Sequence, residues 1–247
     1  MEEVRAFIGL DVHKATISVA AADAGRSGEV RHIGTIENNP VAIGRLARRL
    51  VRRHGNVEFV YEAGSCGYNV QRQLAGMGLT CRVCAPSLTP RKPGERIKND
   101  RRDAIALARL HRAGELTYVW VPDALHEALR DLVRARHAAC QDVRRDRIRI
   151  QAFLLRCDLR FEGKPWSTRH RRWLCNRQFS HPAQQIAFQT YLNALEHDEA
   201  RKLEVEGQIR ELLATSPWAM QMQALQALKG VGPVVAATII CNSLDLV

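Results

Sequence analysis

The stretch RAFIGLDVHKATISVAAAD, residues 5–23, decides how the first half of the chain folds. It contains two mainly apolar runs, RAFIGLDVHK and ATISVAAAD, and this pattern predicts two strands joined by a tight turn. The segment EVRHIGTIE, residues 29–37, predicts a third strand immediately afterwards. Three strands in direct succession predict a meander, which forms one side of a sheet.

Helix and strand signals alternate after this meander, up to residue 122. The segment PVAIGRLARRLVRRHG predicts a helix that Pro40 opens and Gly55 closes. The later segments predict, in order, a buried strand in VEFVYEAG, a helix in YNVQRQLAGMG, a strand in LTCRVCAP and a helix in RRDAIALARLHRAG that Gly114 ends. A meander followed by this alternation predicts an α/β fold with a mixed sheet and helices, in the strand order of a ribonuclease-H-like domain.

The pattern changes at Pro122. Residues 123–156 and 183–214 show apolar residues at helical spacing, which predicts two long helices. Such helices would pack as an antiparallel hairpin, as a coiled coil with another copy, or as a plain helical bundle with no role in dimers. We therefore expect three parts: a ribonuclease-H-like domain in 1–122, a long α-helical region in 123–216, and the start of a C-terminal helical domain in 217–247.

Two segments of the second half favour contact with nucleic acid. The basic and aromatic linker 157–182 mixes arginine with tryptophan and histidine, which suits phosphate contacts and stacking as well as ordinary packing. The arginines concerned are Arg169, Arg171 and Arg172. The segment LQALKGVGPVVAATII resembles a helix-hairpin-helix, in which Gly230 and Gly232 allow a tight turn and the following amides hold a phosphate. A simple connection between two helices is the alternative.

The composition favours a polyanionic partner. The formal net charge is +11, and the surplus of cations lies before residue 183, which suggests binding to DNA or RNA. A merely basic, soluble surface is the alternative. The N-terminus MEEVRAFIGL is acidic, and the longest apolar run, VVAATIIC, is too short to span a bilayer. We therefore expect a cytoplasmic protein without membrane contact.

The seven cysteines are scattered along the chain. Cys81 and Cys84 form a C-x-x-C pair, but no second pair or nearby histidine completes a zinc site. Because both lie in a predicted strand, we interpret them as reduced packing residues.

Four carboxylates occupy positions that a ribonuclease-H-like sheet would bring together. Asp11 ends the first predicted strand and Glu62 ends a later one, and these strands are parallel neighbours in that fold. Asp100 and Asp103 share one helix face at a spacing of three residues. Each acid alone has a local explanation; Asp100, for example, suits the N-cap of its helix. The four together predict a common site.

Four carboxylates at close range repel each other, so such a site needs cations. Mg²⁺ fits because it takes oxygen ligands and keeps waters and substrate phosphates in its octahedron. Two such ions about 4 Å apart activate the attacking oxygen and stabilise the leaving oxygen in phosphoryl transfer. The adjacent Lys98, Arg101 and Arg102 would hold the nucleic-acid backbone.

Several stretches resemble the DEDD transposases of bacterial insertion sequences, whose N-terminal domain resembles the Holliday-junction resolvase RuvC. They are GLDVHK, YEAGSCGYNVQRQLAGMG, PSLTPRKPGERIKNDRRDAIALARLHRAGEL and VPDALHEALRDLVRAR, and the resemblance runs from about residue 5 to the end. It places the family's four acids on Asp11, Glu62, Asp100 and Asp103. Asn99 stands where relatives more often have threonine.

The resemblance implies a metal-dependent DNA recombinase that works as a homo-oligomer, a dimer or larger, and that uses a bridge RNA to pair with donor and target DNA. Members of the family also carry a nucleophilic serine in a Ser-Gly context, in a C-terminal domain. Ser243 in CNSLDLV does not lie in such a motif. We therefore expect a truncated chain that cannot complete recombination alone.

Two other interpretations stay open at this point. A stand-alone RuvC-like junction endonuclease would need no serine domain, but the long helices and the terminal hairpin do not suit it. A non-catalytic fragment that binds DNA or RNA would need no functional acidic site.

Overall fold

The computed structural model describes residues 3–90 and 99–242. The chain forms two compact units, Met1–Val121 and Pro122–Val247. Lys98 and Ser243 lie outside the described residues. Among the helices that the structure describes, none combines the length and the apolar character that a membrane crossing requires.

The first unit is a mixed sheet with three helices in its described part. In chain order its elements are β1 Ala6–Val12, β2 Thr16–Asp23, β3 Val30–Glu37, α1 Pro40–His54, β4 Val57–Glu62, α2 Asn69–Gly76, β5 Thr80–Cys84, α3 Asp100–Ala113 and β6 Tyr118–Val119. The strands are ordered β3-β2-β1-β4-β5-β6. The meander β1, β2 and β3 is antiparallel, β1, β4 and β5 are parallel, and β6 is antiparallel to β5. The predicted mixed sheet with ribonuclease-H-like strand order is confirmed.

Side chains on β1 alternate between two differently covered faces. Ile8 and Leu10 are buried in the larger apolar cluster, together with residues of α1 and α2 such as Leu46 and Leu74. Phe7 lies on the opposite face, beside two small residues of α3. The sheet is therefore covered on both faces, and the face toward α3 is the one that Asp11 shares with Phe7.

Gly9 lets α3 lie directly on β1. A Cβ atom at this position would stand 2.3 Å from the carbonyl oxygen of Ala104 and 2.5 Å from the amide nitrogen of Ala108. Both neighbours are backbone atoms of α3, which cannot give way as a flexible side chain can. The helix that carries two of the predicted acids is thus held as close to the first strand as two backbones allow.

In the described part of the second unit, all secondary-structure elements are helices. Its elements are α4 Ala124–Arg156, α5 Thr168–Cys175, α6 Pro182–Ala214, α7 Ala219–Gln226 and α8 Pro233–Ile240. Helices α4 and α6 correspond to the two long helices predicted from the sequence. The helix α5 lies within the linker 157–182 and was not predicted.

Helices α4 and α6 pack against each other in antiparallel directions. Arg136 pairs with Glu206 at 2.5 Å, and Arg147, further along α4, pairs with Glu199, which lies earlier on α6. Buried apolar residues of both helices, such as Ile150 of α4 and Leu195 of α6, fill the space between them. Of the arrangements left open by the sequence, the intramolecular hairpin is the one observed, and a coiled coil with a second copy stays a prediction.

Candidate metal centre and nucleic-acid interface

The parallel pairing of β1 and β4 positions two of the predicted acids. Leu10 is paired with Tyr61, so the next residues, Asp11 and Glu62, occupy neighbouring places at the carboxyl ends of both strands. Val60, two residues before Glu62, packs on α3, and side chains alternate along a strand. Asp11 and Glu62 therefore both lie on the face of the sheet that α3 covers.

The start of α3 brings a third acid to the same edge. The N-cap is Asn99, whose side-chain oxygen accepts a hydrogen bond from the amide of Arg101 at 3.0 Å. The sequence-based assignment of Asp100 as the N-cap is therefore wrong, because Asn99 has the extended backbone and the amide contact of a cap. Asp100 is the first helical residue, and its carboxylate is available for other contacts.

His13 joins two of these carboxylates. Its Nε2 atom lies 3.1 Å from Oδ2 of Asp11 and 3.6 Å from Oδ1 of Asp100. One ligand atom from each of the three side chains lies within 4.8 Å of the other two, which is close enough for a shared metal ion. The sequence analysis missed His13. Its spacing of two residues from Asp11, at a strand end, was the available signal.

The electrostatics of Asp11 reflect its crowded position. Burial raises the pKa of the Asp11 carboxyl most, the hydrogen bond and charge of His13 oppose this rise, and the charges of Asp100 and Asp103 add to it. Asp103 is thus close enough to act on Asp11, although it is outside the three-residue cluster. A divalent cation would relieve this repulsion between carboxylates.

Glu62 lies next to this cluster rather than within it. Its backbone pairs with Cys84 of β5, and its charge adds to the burial that raises the pKa of the Cys84 thiol to about 11. The side chain is half-buried. The structure therefore brings Asp11, Asp100 and His13 into ligand distance of one another, with Asp103 and Glu62 around them.

The donor set suits a divalent cation. Carboxylate oxygens are the ligands that Mg²⁺ prefers, and an imidazole nitrogen also suits divalent ions of the first-row transition metals. His13 and Asp100 are exposed, so water and phosphate oxygens can reach the positions that protein atoms leave open. On chemical grounds the residues present fit a metal centre.

Two cations of the first turn of α3 lie beside the acids. Arg101 and Arg102 are both exposed. Burial lowers the pKa of His32 on β3, and the nearby charge of Arg101 lowers it further, so Arg101 lies toward the meander side of the acids. Lys98, the third predicted cation, is outside the described residues.

The arginines of the linker differ in their contacts. Arg171 donates two hydrogen bonds of 2.7 Å to the Glu199 carboxylate, which attaches α5 to α6. Arg169 lies over the ring of Phe161, with its guanidinium carbon 5.7 Å from the ring centroid. Arg172 is exposed on α5. A structural role thus competes with the predicted phosphate contact at Arg171 in particular.

The aromatic residues of the linker pack on one another. His170 is buried, accepts a hydrogen bond of 2.9 Å from the amide of Trp166, and stacks on Trp173 at 5.8 Å between centroids. Both tryptophans are half-buried. These contacts favour packing as the main role of the two tryptophans over free stacking platforms.

The turn between α7 and α8 contains both predicted glycines. Gly230 has φ of +89°, a backbone conformation that other residues rarely adopt. Gly232 is the N-cap residue of α8, where it makes no side-chain cap. The geometry is compatible with the predicted tight turn before a helix start.

The first unit is a ribonuclease-H-like domain, because its mixed sheet has the strand order of that fold. Carboxylates lie where its central parallel strands end. The family model DEDD_Tnp_IS110, described as Transposase, matches residues 8–157. The chain belongs to this family of DEDD transposases.

Two curated relatives are similar to this chain over most of its length. The protein y4qE of Sinorhizobium fredii, whose name assigns it to the transposases, is 45% identical over 234 residues, which are 94% of this chain and 57% of the relative. The transposase for insertion sequence element IS1533 of Leptospira borgpetersenii is 32% identical over 244 residues, which are 98% of this chain and 70% of the relative. The chain thus spans a little over half the length of the first relative.

The solved structures are distant. Thermus thermophilus RuvC in complex with a Holliday junction substrate shares 14% identity with a TM-score of 0.31, and the match covers 47% of this chain and 99% of RuvC. Thermus thermophilus RuvC in a second structure shares 12% identity with a TM-score of 0.30, over 46% of this chain and 99% of RuvC. The strand order, rather than these scores, carries the fold assignment.

Proposed function

We propose that the first unit holds a Mg²⁺-dependent site for cleavage and transfer of DNA strands, formed by Asp11, Glu62, Asp100 and Asp103. The observation that supports it best is the approach of Asp11 and Asp100, which come from a strand end and a helix start 89 positions apart in sequence. Membership of a transposase family makes DNA the natural substrate.

In this proposal the strands and the helix each position different carboxylates. Strands β1 and β4 hold Asp11 and Glu62 rigidly side by side, and α3 presents Asp100 and Asp103 from above the same edge. Bound Mg²⁺, in two ions, would supply the charge that activates the attacking oxygen and stabilises the leaving oxygen. The carboxylates bind and orient the metal, and the exposed side of the site admits the phosphodiester.

The cations and the second unit would bind the nucleic acid. Arg101, Arg102 and Lys98 would contact the backbone beside the acids, and the remaining predicted contacts lie in the linker and in the α7–α8 turn. These are Arg169, Arg171, Arg172, Gly230 and Gly232. We further propose that the partner includes a bridge RNA besides DNA, and that the chain works as a homo-oligomer through its long helices.

Cleavage of branched DNA tests this function. The chain is incubated with a labelled four-way junction and Mg²⁺, and we expect cleaved products that chelation of the metal abolishes. Asp11→Ala and Asp103→Ala should each lower the rate at least about 100-fold, because each removes a charge that orients the metal. Asp131→Ala, which removes an exposed aspartate of α4, serves as the matched control and should leave the rate unchanged.

Three results would oppose the proposal. Cleavage that Asp11→Ala and Asp103→Ala leave unchanged would contradict the acidic site. Cleavage that persists after chelation would contradict its dependence on metal. Tight binding of the junction without any cleavage would favour a non-catalytic DNA- or RNA-binding chain instead.

A further inference from the structure

His13 lies in the short turn between β1 and β2, and this turn is held firmly. Its amide donates a hydrogen bond of 2.9 Å to the carbonyl of Thr16, and its carbonyl accepts one of 2.7 Å from the side chain of Asn38. These two hydrogen bonds fix the backbone of the turn, so the Cα atom of His13 is held beside the carboxyl end of β1. Its side chain is 48% exposed, so solvent and ions can reach the ring.

The distances from Nε2 of His13 to the two carboxylates lie within the span of two ligands on one metal ion. Bonds of about 2.1 Å at right angles put neighbouring ligand atoms about 3.0 Å apart. Nε2 lies 3.1 Å from the Asp11 oxygen, close to this value, and 3.6 Å from the Asp100 oxygen, which corresponds to a somewhat wider angle. The three ligand atoms lie within 4.8 Å of one another, and the side chains of His13 and Asp100 are exposed, so these side chains can adjust until one ion contacts all three atoms.

A nitrogen donor changes which metal the site prefers. Carboxylates and water suit Mg²⁺, whereas imidazole binds first-row transition ions more strongly. Mn²⁺ accepts both carboxylate and imidazole ligands and has the same charge as Mg²⁺. A site with two carboxylates and one imidazole should therefore discriminate in favour of Mn²⁺.

We propose that His13 is a nitrogen ligand of the ion that Asp11 and Asp100 hold, and that it makes this site bind Mn²⁺ more tightly than Mg²⁺. The inference rests on the proposed acidic metal site. It adds the imidazole of His13 as a ligand besides the four carboxylates. The competing role for His13 is that of a hydrogen-bond donor that only positions the Asp11 carboxylate.

Pulsed electron paramagnetic resonance of bound Mn²⁺ separates these two roles. A directly coordinated imidazole couples its ¹⁴N nucleus to the electron spin of the ion, and a ring that only donates a hydrogen bond to a carboxylate gives no such direct coupling. We expect ¹⁴N coupling in the full chain with Mn²⁺ and none in His13→Ala. The control His137→Ala removes an exposed imidazole of α4 and should keep the coupling.

Affinities give the second readout. His13→Ala should weaken Mn²⁺ binding about tenfold or more and weaken Mg²⁺ binding less, so that the ratio of the two affinities falls. Circular dichroism of the same samples shows whether the variant keeps its fold. An unchanged ratio in a folded variant would overturn the inference.

The outcomes distinguish the inference from the function on which it rests. Mn²⁺ that binds, is lost in Asp11→Asn and shows no ¹⁴N coupling would overturn the role of His13 and leave the acidic site intact. Mn²⁺ binding that neither Asp11→Asn nor Asp100→Asn weakens would overturn both. Coupling that persists in His13→Ala would assign the nitrogen to another residue and also overturn the inference.

Discussion

Gly9 sets the distance between α3 and β1, and hence the distance between Asp100 and Asp11. Gly9→Ala places a methyl group 2.3 Å from a backbone oxygen of α3, so the helix must move away from the strand. We expect the free energy of unfolding to fall by about 1–3 kcal/mol, as for other overpacked positions. Urea denaturation measures this change, and Mn²⁺ affinity should fall with it.

Gly76→Ala is the matched control for this prediction. Gly76 lies at the end of α2, and a Cβ there would meet nothing within 4 Å. The control should leave the free energy of unfolding unchanged or raise it slightly, because alanine is the better helix former. Equal stability of both variants would show that α3 does not rest on β1 in this way.

His111 couples the stability of the first unit to pH. It is buried on α3, with Nδ1 2.8 Å from the hydroxyl of Tyr118, and burial together with the charge of Arg82 lowers its pKa to about 4. The unfolded chain takes up a proton near pH 6.5 and the folded chain does not, so stability is full above that pH and is lost as pH falls toward 4. Between pH 7 and pH 5 the loss should be at most about 2 kcal/mol, because the pKa of His111 is 6.5 in the unfolded chain and about 4 in the folded chain.

The variant His111→Gln checks this prediction by urea denaturation at both pH values. It should lose less stability than the parent chain as the pH falls, because glutamine does not titrate. His137→Gln removes an exposed histidine and should behave like the parent. A parent chain and a His111→Gln variant with the same pH dependence would contradict a neutral, buried His111.

Individual residues show which structural features could be predicted from the sequence and which could not. Gly55 and Gly114, predicted to end their helices, do end them with positive φ, since helix ends depend on local backbone chemistry. Asp100 was misassigned as a cap because aspartate and asparagine are equally good caps and both stood at the boundary. His13 was missed because its contact with Asp100 is made across the fold.

At the scale of elements, the long apolar strands and the helices between them could be predicted. Each buried strand carries enough β-branched and apolar residues to be recognised alone, as in Val57–Glu62. The strand Tyr118–Val119 was missed because two residues at a sheet edge form a strand only by pairing with β5. The helix Thr168–Cys175 was missed because its composition is mostly basic and aromatic.

Arg171 tests whether α5 is attached through its ion pair. Arg171→Ala removes two hydrogen bonds to Glu199, whose pKa Arg171 holds below its usual value. Because the pair is partly exposed, we expect the free energy of unfolding to fall by only about 1 kcal/mol. Thermal denaturation of the full chain measures the change.

Arg172→Ala is the neighbouring control. This residue is exposed, so stability should change by less than about 0.5 kcal/mol, while affinity for DNA should fall and its salt dependence should weaken by about one unit of slope. If Arg171→Ala leaves stability unchanged and weakens DNA binding instead, Arg171 is a phosphate contact as first predicted.

At the scale of the whole molecule, the two halves of the chain differ in how much of their structure could be predicted from the sequence. The change of pattern at Pro122 marked the point where the structure also divides the chain. The two long helices were found because glycine and proline are absent from 123–156 and rare in 183–214. Their partner was not predictable, because an apolar stripe fits a helix of the same chain or of another copy equally well.

The central claim is that Asp11 and Asp100 are ligands of one divalent ion at the carboxyl edge of the sheet. Crystals grown with Mn²⁺, measured at the manganese absorption edge, test it most directly. The account predicts an anomalous peak about 2.2 Å from oxygens of both carboxylates, and no peak there in crystals of Asp11→Asn. A peak only at other places, or an unoccupied edge between β1 and α3 at saturating Mn²⁺, would contradict it.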